Sequence, residues 1–128
     1  MTYTINRMMA DASIDDVDAR TRKALADQGF GVLTEIDVKA TMKKKLDVEM
    51  PAYRILGACN PSMAYKAIGL ESRVGAMLPC NVILREVEGG VEVSVIDPVA
   101  SMQAIPNAEL TAVAGDVRDL LAKAVEAI

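Results

Sequence analysis

Hydrophobic and polar positions alternate in short runs along this chain, and between those runs the spacing changes to that of a helix. Tyr3 and Ile5 stand between polar neighbours, which predicts a strand over residues 2–9. Ser13-Ile14-Asp15-Asp16 resembles a capping box, with Asp in place of the usual Glu. Ile14, Val17, Thr21, Ala24 and Leu25 then recur at three- and four-residue spacing, predicting a helix that runs to Gln28 and stops at Gly29. Phe30, Val32, Thr34, Ile36 and Val38 alternate with Gly31, Leu33, Glu35 and Asp37, the period of a strand. Asp37 is placed to cap a short helix over 38–46, and Pro51 opens another strand over 52–59. One face of that strand should hold Tyr53, Ile55, Gly57 and Cys59.

Asn60-Pro61 is a strong helix start, because Asn accepts from free N–H groups and Pro is pre-set for the first turn. Met63, Ala64, Ala67, Ile68 and Leu70 give this helix its apolar stripe. A long strand is expected over 78–87, with Leu78, Cys80, Val82 and Leu84 as its core face. Glu88-Gly89-Gly90 turns the chain into a second strand over 91–96, which Asp97-Pro98 ends. After Pro106, Leu110, Val113, Val117, Leu120, Leu121, Ala124 and Ile128 trace a final amphipathic helix that Gly115 weakens locally. The order is that of an α+β fold: a two-layer sandwich with a mostly antiparallel sheet and helices on one face. No linker, repeat or low-complexity stretch divides residues 1–128, so they read as a single domain.

Composition sharpens this picture. Of 128 residues 52% are hydrophobic, enough for a real core. The aromatics are only Tyr3, Phe30, Tyr53 and Tyr65, so that core must be aliphatic and rich in methionine. A net charge of −4 and the lack of stacking platforms argue against nucleic-acid binding. Met1-Thr2-Tyr3-Thr4 opens no signal-peptide pattern, and no run approaches the roughly 20 apolar residues of a membrane helix. The expected setting is the cytoplasm, where thiols stay reduced. A mean hydropathy of +0.22 implies more apolar surface than a domain of this size hides alone, which points to a homodimer.

With two cysteines and no histidine, the thiols dominate the candidate chemistry. Each is followed by asparagine, in Ala58-Cys59-Asn60-Pro61 and Leu78-Pro79-Cys80-Asn81. Two readings of Cys59 stand. It is a small buried hydrophobe at a strand end, or a nucleophile whose thiolate is favoured by the N-terminus of the helix begun at Pro61. Cys80 fits a core face or the same site. Structural zinc wants four thiol or imidazole ligands, which one chain lacks. Cys59 and Cys80 could still hold a metal across a dimer, since thiolate and thioether suit Cu(I), or hold a haem. Lys43-Lys44-Lys45 is a solvated helix face or, with Arg54, an anion pocket. Glu35 and Asp37 share a strand face, a weak signal for acid–base chemistry. Phosphate loop, nucleophile elbow and dinucleotide fingerprint are all absent.

The run Gly29-Phe30-Gly31-Val32-Leu33-Thr34-Glu35-Ile36-Asp37-Val38 opens an ordered set of motifs. Lys45-Leu46, Leu56-Gly57-Ala58-Cys59-Asn60-Pro61, Leu78-Pro79-Cys80-Asn81-Val82 and Asp97-Pro98 continue it. Together they resemble the family called "domain of unknown function 302" over residues 29–102. The resemblance implies a two-layer domain with a β-α-β-β-β-β-α core that forms dimers. It implies no activity and no catalytic residues, which leaves open whether the protein is an enzyme. The motif positions Lys45, Cys59, Asn60, Pro61, Pro79, Cys80, Asn81 and Asp97 are its candidates for a ligand site. The leading functional reading is a homodimeric module that binds a small molecule or handles thiol or sulfur redox chemistry through Cys59, with Cys80 nearby. The alternatives are a metal- or haem-binding dimer using the same thiols, or a regulatory or interaction domain whose cysteines are structural.

Overall fold

The computed structural model describes residues 2–128. Its elements follow the order β1 (Thr4–Ala10), α1 (Ile14–Asp27), β2 (Gly31–Asp37), α2 (Val38–Leu46), β3 (Tyr53–Cys59), α3 (Pro61–Leu70), a 3-10 turn (Val74–Met77), β4 (Cys80–Val87), β5 (Gly90–Ile96), α4 (Pro98–Ser101) and α5 (Ala108–Ala127). The strands make one antiparallel sheet in the order β1-β5-β4-β3-β2. Helices α1 and α5 pack against each other on one face of it, so the chain is the expected α+β two-layer sandwich. No described helix is long and apolar enough to cross a membrane.

Local chemistry accounts for most helix starts. The Ser13 hydroxyl accepts from Asp16 N–H at 3.2 Å, and Asp37 Oδ1 accepts from Ala40 N–H at 2.9 Å. Asn60 Oδ1 accepts from Met63 N–H at 3.4 Å, with Pro61 as the first helical residue. Two caps escaped the sequence reading. Asn107 accepts from Leu110 N–H at 3.0 Å and starts α5, which continues unbroken through Gly115. Asp97 does more than end β5: it caps the short helix α4 through Val99 N–H at 2.9 Å.

Strand faces depart from simple alternation in one place. The ladder between β2 and β3 slips between Val32 and Thr34, where Leu33 bulges out. Val32 lies opposite buried Ala58, whereas Thr34 and Ile36 lie opposite Gly57 and Ile55 on the other face. The expected single face of Val32, Thr34 and Ile36 is therefore split by the extra residue. Glu35, expected on the face opposite Val32, is instead turned to the helix side, where Arg22 of α1 reaches it at 3.2 Å. β4 also starts two residues later than expected, at Cys80, and Ile68 of α3 is exposed rather than part of its inner stripe.

The core has two parts. The main one lies between the sheet and α1 with the C-terminal half of α5, and includes Val17, Leu56, Leu84, Val93 and Leu121. A satellite cluster of Ala67, Val74, Met102, Leu110 and Ala114 packs under α3, the 3-10 turn and the start of α5. Helix α5 is about 30 Å long at 20 residues, long enough to serve both. The seam between the two clusters is where packing is incomplete.

Candidate functional site

Antiparallel pairing of β3 with β4 puts Ala58 opposite Cys80, so the end of β3 and the start of β4 meet at one edge of the main core. Helix α3 leaves from there immediately after its cap Asn60. The chain beyond β5 crosses the same end as Pro98 and Met102, and the first half of α5 lies over it. These pieces enclose a cavity of about 30 Å³ on the seam between the two clusters. Its wall includes Phe30, Cys59, Asn60, Met63, Cys80 and Met102, and is almost wholly apolar.

Both cysteines border this cavity, but strand alternation turns their side chains apart: Cys80 shares the core face with Ala58, whereas Cys59, paired with Gly31, is turned to the other face. They differ in access. Cys59 is half-buried, whereas Cys80 is 7% exposed. Burial pushes the Cys80 thiol up to about 11, and the neighbouring Cys59 adds to the rise. Cys80 is therefore protonated and sheltered at neutral pH. The volume also discriminates among ligands. A cavity needs about 10–15 Å³ to admit one water, so this one suits a species of a few atoms. A haem macrocycle does not fit it.

The other motif residues divide by position. Asn60 and Pro79 are on the cavity wall. Pro79 packs over Gly57, where an added Cβ would overlap Thr34 Oγ1 and come within 2.7 Å of Pro79 Cγ. Pro61 is exposed at the first turn of α3 and shapes the site only by starting that helix. Asp97 stands at the same end of the sheet but is occupied, capping α4 and accepting from Arg118 Nε at 2.9 Å. Its neighbour Pro98 is the residue on the wall.

Lys45 and Asn81 are not brought to the cavity. Lys45 is exposed on α2, which joins the far ends of β2 and β3, about 20 Å away along the strands. Asn81 points to the opposite face of the sheet, where it lines a groove with Tyr53, Ile83, Arg85, Glu92 and Ser94. Strand alternation forces this: if Cys80 faces the core, Asn81 cannot. The anion pocket at Lys45 and Arg54 does not form either. Arg54 lies between Asp15 at 2.7 Å and Asp18 at 3.1 Å, and these partners, Asp15 foremost, raise its pKa. Among the described residues no group of three or more Cys, Asp or Glu is arranged to hold a metal.

The sequence reading missed Met63 and Met102 as residues of the cavity wall. Met63 was legible in part, one turn after Asn60 on the inner stripe of α3. Met102 follows α4, which carried no periodic signal.

This arrangement can be set beside known proteins. The chain matches the family described as "Domain of unknown function DUF302" over residues 6–128. It belongs to that family. It is also similar to the uncharacterized conserved DUF302 protein from Bacillus stearothermophilus, known from a crystal structure. That likeness has a TM-score of 0.91 at 21% identity and covers 98% of each chain, which establishes a shared fold. No curated protein matches the chain. The match extends beyond the motifs of residues 29–102 to most of β1, all of α1 and all of α5, which build the helix layer and one sheet edge.

Proposed function

We propose that this DUF302 domain is a small-ligand or thiol-redox binding module whose site is the cavity at the junction of β3, β4 and α3. The observation that supports the reading is that both cysteines border one small apolar cavity, Cys80 sheltered on its core face and Cys59 half-buried on the strand's other face. Cys59 is the group that meets solvent-borne species, and it directly precedes the cap of α3, whose N-terminus favours an anion. Cys80 and the apolar wall set the size of what enters. Two thiols without a disulfide suit a reducing compartment such as the cytoplasm.

Timed alkylation of the native protein with iodoacetamide, read by mass spectrometry, tests this. Cys59 should be modified well before Cys80, and Cys59→Ser should remove the fast phase. Equal, slow modification at both sites would make the cysteines packing residues and leave an interaction domain as the better reading.

The module is proposed to act as a homodimer through the uncovered face of its sheet. Ile36, Ile55 and Ile83 form a row across β2, β3 and β4 there, flanked by Tyr53 and the Arg85–Glu92 ion pair. Tyr3, Met8 and Ile36 expose 68%, 44% and 48% of their surface. This isoleucine row, set among polar residues on the face that the helices leave open, suits a second copy of the same chain.

A further inference from the structure

We infer that the cavity is a dry site for an uncharged apolar ligand of a few atoms, a dissolved gas or short hydrocarbon rather than an anion or a metal ion. This rests on the reading that the cavity is the functional site, and it names the ligand class. Phe30, Met63, Leu78, Met102, Leu110 and Val113 all stand on the wall. No Asp, Glu, Lys or Arg joins them, and the chain has no histidine. The side-chain oxygen of Asn60 is already taken, accepting from Met63 N–H at 3.4 Å and from the Ser62 hydroxyl at 3.0 Å. The buried Cys80 thiol is neutral, and Cys59 is turned to the other face of its strand. A water inside would lack the polar partners it needs, and an ion would give up its hydration with nothing in return.

Size follows from how the seam is built. Helix α3 presents Ala64 and Ala67 to it and α5 presents Ala114, so short side chains meet across the gap and leave it unfilled. The volume of about 30 Å³ exceeds what one water needs and admits a xenon atom or a molecule such as ethane. Atoms that line a void lack partners on one side, so an apolar guest restores their dispersion contacts and is held by packing alone. The flexible thioethers of Met63 and Met102 adjust to its shape. The enclosure also offers a way in. Of the ten residues of α3 only Ala67 is buried, and Asn107 Nδ2 ties the helix to the start of α5 by donating to the Leu70 carbonyl at 3.1 Å. A helix held this lightly opens locally and lets the guest pass.

The test is NMR of the reduced full-length protein with isotope-labelled methionine methyl groups, titrated separately with xenon, ethane and thiocyanate. Met63 and Met102 should shift saturably with both apolar probes. The exposed Met8 and Met77 are internal controls that should show no saturation, and thiocyanate should move none of the four. Ala64→Leu fills the gap from α3 and Ala114→Val fills it from α5, and each should abolish the saturable shift. Either variant suffices, so one that fails to fold leaves the other to decide. No saturable shift at Met63 and Met102, a response to thiocyanate at those two, or shifts that survive in a folded filled variant would overturn the inference. Alkylation separates the two proposals. Fast modification of Cys59 without a xenon response sinks the apolar site alone. A xenon response with slow, equal modification sinks the thiol reading alone, and failure of both sinks the cavity as a functional site.

Discussion

Gly57 shows how a single residue holds the site's geometry. It lies in a ladder position where an added Cβ would meet both Thr34 Oγ1 and Pro79 Cγ, so a side chain there must displace both. Gly57→Ala should destabilise the domain by about 1–3 kcal/mol in a urea melt. It should also quicken alkylation of Cys80, because Pro79, next to Cys80 in the chain, must move along with Thr34. Thr21 makes the opposite case. Its hydroxyl is buried in the main core with no hydrogen-bond partner, beside a void of about 10 Å³ that is at the lower limit for a water. Thr21→Val removes an unsatisfied polar group at nearly constant shape, so stability should hold or rise by about 1 kcal/mol. A drop of that size in the same melt would show that the hydroxyl finds a partner in solution. Neither effect is visible in a sequence. Gly57 reads as one more glycine in a strand and Thr21 as one more position in a helical stripe; only the neighbours brought by other elements distinguish them.

At the scale of elements, caps carry the local information and long-range contacts carry the rest. Asn60 starts α3 and sits on the cavity wall, so Asn60→Ala should cost about 1 kcal/mol and loosen the first turn that presents Met63. An unchanged melting midpoint would remove the cap from the account of the site. The end of α5 depends instead on Arg7 in β1. Its guanidinium donates to the carbonyls of Val125, Glu126 and Ile128 at 3.0, 2.7 and 2.9 Å, meeting the negative end of the helix. Arg7→Met keeps the apolar stem but loses these bonds. It should lower stability by about 1–2 kcal/mol and raise amide exchange in the last turn of α5 first. The caps at Ser13, Asp37 and Asn60 were readable because donor and acceptor lie within one turn of chain. Arg7 was not, since its partners lie more than a hundred residues away and are backbone groups with no sequence signature. The bulge at Leu33 escaped for a related reason: an inserted residue in β2 is defined only by the register of β3.

On the scale of the whole molecule, the sheet's uncovered face predicts association. Light scattering should give twice the 13.7 kDa chain mass across micromolar concentrations. Ile83→Lys, near the centre of that face, should shift the particle toward the monomer without unfolding it. A 13.7 kDa particle for the unaltered protein would refute the dimer. The sequence by itself determined the order of the five strands and four longer helices, the α+β class and three of the helix caps. Those features follow from periodicity and from contacts within a turn, which are local physics. Tertiary structure alone decided that Lys45 and Asn81 lie outside the cavity while Met63 and Met102 lie on it. Residence on a wall depends on which strands pair, in what register, and which loop crosses their end. That is a property of the assembled layers, because packing two clusters against one sheet leaves its unfilled space at their seam, wherever in the chain the lining residues happen to be.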